Sequence, residues 1–162
     1  MNYIKIDKCS VSNGVGLRTV LWVSGCKHYC FNCQNPQTWN IDSGILFDTK
    51  ACDELCENLK KPYISGITYS GGDPLHPQNV SDITLLSKYI SENYPNKTQW
   101  LYTGYVWNEI KELEIIKYLD IVVDGKYVDD RRDITLPWRG SSNQRVIDVH
   151  KTSKYNKIVL YT

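Results

Sequence analysis

The sequence predicts an α/β fold: a mostly parallel sheet curved into a partial, open (β/α) barrel. Three observations carry that expectation. Short β-branched and apolar runs recur along the chain, each closed by glycine or by an Asp-Gly pair. Stretches with helical apolar spacing lie between them. The 162 residues supply only four or five such units, whereas a complete eight-stranded barrel takes roughly 250 residues. Residues 1–162 are therefore expected to form a single domain.

The first predicted strand, Thr19 to Ser24 (TVLWVS), ends at Gly25 and feeds into a cysteine-rich loop. A helix is expected over Thr49 to Leu59, where Cys52, Leu55, Cys56 and Leu59 recur at three- and four-residue spacing and form a core stripe. Ile64 to Ser70 (ISGITYS) reads as the next strand, closed by Gly71-Gly72-Asp73-Pro74 and followed by helical spacing from Val80 to Tyr94. Two further strands follow the same plan, Gln99 to Thr103 before Gly104 and Leu119 to Val123 before Asp124-Gly125, with a helix expected over Trp107 to Lys117 between them. From Arg131 the pattern weakens, and Trp138 to Gln144 reads as a polar loop between Pro137 and the short run Val146 to Val149. In a parallel sheet the loops at the carboxyl ends of the strands gather on one edge, so loops 25–35, 71–75, 103–105 and 124–126 should converge.

A formal net charge of +1, from 19 basic and 18 acidic residues, gives no electrostatic reason to expect nucleic acid or an anionic membrane as a partner. No apolar run approaches the roughly 20 residues of a membrane helix, and the opening MNYIKIDKCS lacks the apolar centre of a signal peptide. A cytoplasmic protein is expected, and in that reducing compartment its 6 cysteines point to metal binding or catalysis before disulfides. Cys9, Cys52 and Cys56 are dispersed, whereas Cys26-x3-Cys30-x2-Cys33 places three thiols where they can wrap one compact metal centre. Zinc would need a fourth ligand, from His28 or a remote cysteine, and typical zinc sites draw a second ligand pair that this chain lacks. Three thiolates on an iron-sulfur cluster would instead leave one iron open to a small molecule. A zinc or iron-sulfur adaptor without turnover, using a surface rich in aromatics, is the alternative from another functional class.

Cys26-x3-Cys30-x2-Cys33 in a loop after a strand resembles the signature of the radical S-adenosylmethionine enzymes, and Gly71-Gly72-Asp73-Pro74 resembles their GGEP-type element. Asn13-Gly14, Gly16, Arg18, Ser24-Gly25-Cys26, Thr38-Trp39, Leu75, Thr103-Gly104-Tyr105, Asp124-Gly125-Lys126 and Trp138-Arg139-Gly140-Ser141 narrow the similarity to the activating proteins of anaerobic ribonucleotide reductase. The resemblance covers residues 13–144 and implies a barrel of the radical S-adenosylmethionine type. It also implies a [4Fe-4S] cluster on Cys26, Cys30 and Cys33, and S-adenosylmethionine as second cofactor. The function implied is installation of a glycyl radical on the large reductase subunit, fed by a one-electron donor such as a flavodoxin. An activase of a different glycyl-radical enzyme differs from this in partner alone.

Asn32, Cys33, Gln34, Gly71, Gly72 and Asp73 are the implied cofactor contacts. The two glycines let backbone approach a ligand closely, and Asp73, where the superfamily has glutamate, orients its loop. The family places an aromatic before the third cysteine; this chain has Asn32 there, with Phe31 one place earlier. Beyond cluster and cofactor no catalytic acid or base is expected. Asp124 and Thr103 end strands at the active edge and fit either cofactor contact or turn and cap formation. His28 is expected to be an exposed loop histidine. Trp138 and Arg139 fit partner docking or plain packing equally.

Overall fold

The computed structural model describes residues 1–162. Its strands are β1 (Asn2–Ser10), β2 (Leu17–Val23), β3 (Ile45–Leu46), β4 (Ile64–Gly71), β5 (Thr98–Tyr102), β6 (Ile121–Asp124) and β7 (Arg145–Asp148). They form one 7-stranded open sheet in the order β3-β1-β2-β4-β5-β6-β7. The pairings among β2, β4, β5 and β6 are parallel. Both flanks are antiparallel, with β1 on β2, β3 on β1 and β7 on β6. The expected parallel arrangement therefore holds at the centre of a mixed sheet.

The helices are α1 (Thr49–Leu59), α2 (Val80–Asn93), α3 (Trp107–Ile110) and α4 (Val149–Tyr155). Asp48 caps α1 by accepting from the Ala51 amide at 3.0 Å, and Asp148 caps α4 by accepting from Lys151 at 2.9 Å. The helix expected over residues 107–117 is instead one turn of α3 followed by a 3-10 segment, Glu114–Tyr118. The reason is burial: Ile110, Ile115, Ile116 and Leu119 all enter the core, and a straight helix of 3.6-residue period would put Ile110 and Ile116 on different faces. Leu113, in extended conformation (φ −69°, ψ 140°), breaks the helix and turns the second set inward.

One face of the sheet carries Leu21, Val23, Ile67, Tyr69, Leu101, Val122 and Ile147, which join Leu55 and Leu59 of α1 and Ile83, Leu86 and Ile90 of α2 in the main core. Alternation along each strand sends the neighbouring residues to the opposite face. There Trp100, Ile121, Val123 and Val146 form a smaller cluster, covered by Trp138 and by Tyr161 from the chain end. Trp100, Trp138 and Tyr161 meet edge to face with centroids 5.3 to 5.8 Å apart. The segment after Arg145 is thus part of the sheet and of this aromatic cover. No helix is long and apolar enough to cross a membrane.

Arg18, in β2, is fully buried on the second face. Its Nε donates to Thr68 at 2.7 Å, Nη1 to Thr98 Oγ1 at 2.9 Å and the Val15 carbonyl at 3.2 Å, and Nη2 to the Ile67 and Thr98 carbonyls. The guanidinium also lies 5.3 Å from the centre of the Trp100 ring. Burial pushes its pKa down to about 10, which leaves it cationic at neutral pH. This planar fork ties β2, β4 and β5 together at the edge opposite the cysteine loop. Arg18→Lys, whose ammonium cannot reproduce the fork, is expected to lower stability by about 3 kcal/mol. Urea unfolding checks this, and an unchanged midpoint would contradict the role.

Candidate functional site

The loops that follow β2, β4, β5 and β6 surround a cavity of about 760 Å³. Trp22, Ser70 and Tyr102 form its floor from adjacent strands of the second face. Cys26, Cys30 and Cys33 line its wall, all free and half-buried, together with Gln34 and Gly71-Gly72-Asp73. The sequence-predicted loops therefore do converge.

The cysteine loop is held by backbone contacts. The Gly25 amide donates to the Thr38 carbonyl at 2.7 Å, Cys26 to Trp39 at 3.0 Å and Cys33 to Cys30 at 3.1 Å. Tyr29 (φ 47°) and Asn32 (φ 53°) take the left-handed conformation that curls the chain between the sulfurs. Burial pushes the Cys26 thiol up to about 11, against a backbone hydrogen bond from His28 that pulls it down. Burial raises Cys30 as well.

Asp73 joins this loop to the rest of the site. Its carboxylate is 1% exposed and accepts from the Leu75 amide at 2.8 Å, the Gly104 amide at 2.9 Å and the Thr103 hydroxyl at 3.0 Å. His28 Nε2 completes the set at 2.7 Å, its ring packed edge-on against Tyr105 at 4.7 Å. His28 is thus no exposed loop histidine: its side chain is 9% exposed, drawn in because a buried carboxylate needs donors. Asn79, also buried, donates to the Ser24 and Asp73 carbonyls. Nothing in the spacing of His28 or Asn79 signals these contacts in sequence.

Glycine is required at 71 and 72 first of all by neighbouring chain. A Cβ on Gly71 (φ 109°) would overlap the Val23 backbone, and one on Gly72 would overlap the carbonyls of Gly25 and Thr38. The amides of Gly72 and Asp73 donate to the Val23 and Gly25 carbonyls at 2.8 and 2.7 Å, seating the segment against the base of the cysteine loop. Asn32 is not among the cavity's lining residues; its side chain donates to Asp129 at 2.8 Å. Asp124 is fully engaged by Arg145 and by the Trp107 amide at 2.7 Å, and Thr103 by Asp73, so both hold loops. Trp138 packs on Trp100, and Arg139 donates to the Gln144 carbonyl at 2.9 Å; both also line the cavity.

The donor set suits a multi-iron group with a polar small molecule beside it. Three free thiols share one wall of the cavity. The indole nitrogens of Trp22 and Trp39 and Nε of Arg139 are buried without a protein partner. All three residues line the same cavity through other atoms, while these nitrogens are closed off from it.

A family profile described as "4Fe-4S single cluster domain" matches residues 12–147. Proteins named "Anaerobic ribonucleoside-triphosphate reductase-activating protein" are similar over nearly the whole chain. The one from Enterobacteria phage T4 is 47% identical over 146 residues, covering 90% of this chain and 93% of the relative. The one from Escherichia coli K12 is 43% identical over 150 residues, covering 90% and 97%. That from Vibrio cholerae is 39% identical over 148 residues, covering 89% and 96%.

Replacing Asp73 by asparagine would turn an NH2 group toward donors already aimed at the carboxylate. Asp73→Asn is expected to cost about 2 to 3 kcal/mol in urea unfolding and to lower iron retained after anaerobic reconstitution. Wild-type stability with full iron content would contradict the linking role.

Proposed function

The chain belongs to the family of anaerobic ribonucleoside-triphosphate reductase-activating proteins, and from that membership we propose how its cavity serves the activation. The enzyme carries a 4Fe-4S domain and acts on anaerobic ribonucleotide reductase. In the proposed reading, residues 1–162 form one radical S-adenosylmethionine domain of the partial-barrel type, working in the cytoplasm. Cys26, Cys30 and Cys33 would hold a [4Fe-4S] cluster, and S-adenosylmethionine would bind beside it, next to the Gly71-Gly72-Asp73 segment. When bound, cluster and cofactor together supply reductive cleavage of the sulfonium and removal of hydrogen from a glycine Cα of the large reductase subunit.

This chain's residues bind, orient and shield. The amides of Gly72 and Asp73 are committed to the Val23 and Gly25 carbonyls, so they hold the segment in place beside the cofactor. Cys33 and Gln34 bring the end of the cysteine loop to the same cavity, while Asn32 can contribute through its backbone only, its side chain being held by Asp129. The cover formed by Trp138 and the chain after Asp133 limits water, which protects a reactive radical. A flavodoxin or similar carrier supplies the electron.

The observation that carries this reading is the meeting of three free thiols and the Gly71-Gly72-Asp73 segment in one cavity. Anaerobic reconstitution with iron and sulfide, reduction, and assay for 5'-deoxyadenosine test it. Wild type is expected to release 5'-deoxyadenosine and to produce a glycyl-radical signal on the reductase subunit. Cys30→Ala is expected to lose at least about 100-fold in product, as removal of an essential group does. Binding of stoichiometric zinc, with no product from wild type, would overturn the reading.

A further inference from the structure

A second hollow, of about 620 Å³, lies beside the main cavity. Cys26 and Trp39 line both, so one thiol ligand and one indole form the partition between them. The second hollow is otherwise lined by residues absent from the first, among them Lys27, Tyr29, His76 and Gln78. It contains no acidic side chain, whereas the main cavity has Asp7, Asp73 and Asp133. Lys27 is exposed and provides its charge; burial and the nearby Lys27 hold the His76 pKa down. Tyr29 is 62% exposed and meets Trp39 edge to face at 5.2 Å.

We propose that this hollow receives an acidic one-electron carrier protein and that electrons enter the site there, on the Cys26 side of the partition. The inference rests on the function proposed above. The Cys26 thiol that lines the main cavity also lines this second hollow. Its lone cation and lack of carboxylates complement an acidic surface, and Tyr29 and Trp39 give an aromatic contact of the kind found at the centre of protein interfaces. In the transfer the carrier loses one electron and the centre on the three thiolates gains it; no bond is made and no proton moves.

The test uses the reconstituted full chain, with flavodoxin hydroquinone as the probe, and follows the loss of cluster absorbance by anaerobic stopped flow. Lys27→Glu and Gln78→Glu each place an acid in the hollow; Gln78 is exposed and distant in sequence from the thiol ligands. Both variants are expected to be reduced by flavodoxin about tenfold more slowly at low ionic strength, converging on wild type at high salt. Iron content and reduction by dithionite are expected to match wild type. Flavodoxin rates within about twofold of wild type at low salt, or an equal fall with dithionite, would overturn the docking place. If wild type forms no reducible cluster, the proposed function itself falls; if wild type is reduced normally and the variants do not differ, only this inference does.

Discussion

A carboxylate removed from water must find its donors in the protein, and Asp73 finds them on three different loops. The amide of Leu75 comes from its own turn, Thr103 and Gly104 from the end of β5, and His28 from between the first two cysteines of the thiol loop. Of these loops, the turn after β4 is also anchored by Leu75 in the main core. The shared acceptor makes their positions depend on one another, and the cavity is the space they leave. Gly72 and Gly104 allow the closeness: a Cβ on either would strike, respectively, the Gly25 and Thr38 carbonyls or the His28 ring.

The same arrangement explains why a loop with few regular hydrogen bonds can present three sulfurs in a fixed order. Its base is pinned by Gly25 and Cys26 to Thr38 and Trp39, and by the Asp73 amide to Gly25; its middle is pinned by His28. Between those points the chain curls through two left-handed residues, Tyr29 and Asn32, a conformation that side-chain-bearing residues adopt only when their surroundings require it. The proposed function calls for a preformed but open site, reached by a cofactor, a target glycine and an electron. Rigidity at the base and open space above the sheet serve those needs together.

Much of the fold was legible because the central strands carry a plain signal. TVLWV, ISGITYS and LDIVV are β-branched runs that stop at glycine or Asp-Gly, and all three lie in the sheet's parallel centre. β1 was missed because Lys5, Asp7 and Lys8 interrupt its apolar alternation; it is a flanking strand whose second face is only half covered. The split of residues 107–117 depends on tertiary burial of Ile110 and Ile116 from opposite sides of one helical projection, which local spacing reads as one helix. At the site, the cysteine spacing and the Gly-Gly-Asp-Pro turn were each visible, but His28 was not: its role depends on a carboxylate 45 residues away. Nor does the sequence show that Asn32 turns its side chain to Asp129, 97 residues on.

In the proposed function, Cys26, Cys30 and Cys33, fixed by the Asp73 linkage, would hold a [4Fe-4S] cluster with one iron free of protein ligands. Mössbauer spectroscopy of protein reconstituted with 57Fe, recorded with and without S-adenosylmethionine, measures this most directly. The expected result is one iron site distinct from the other three, changing its isomer shift when the cofactor is added while the others stay fixed. Four equivalent iron sites, unaltered by the cofactor, would contradict it.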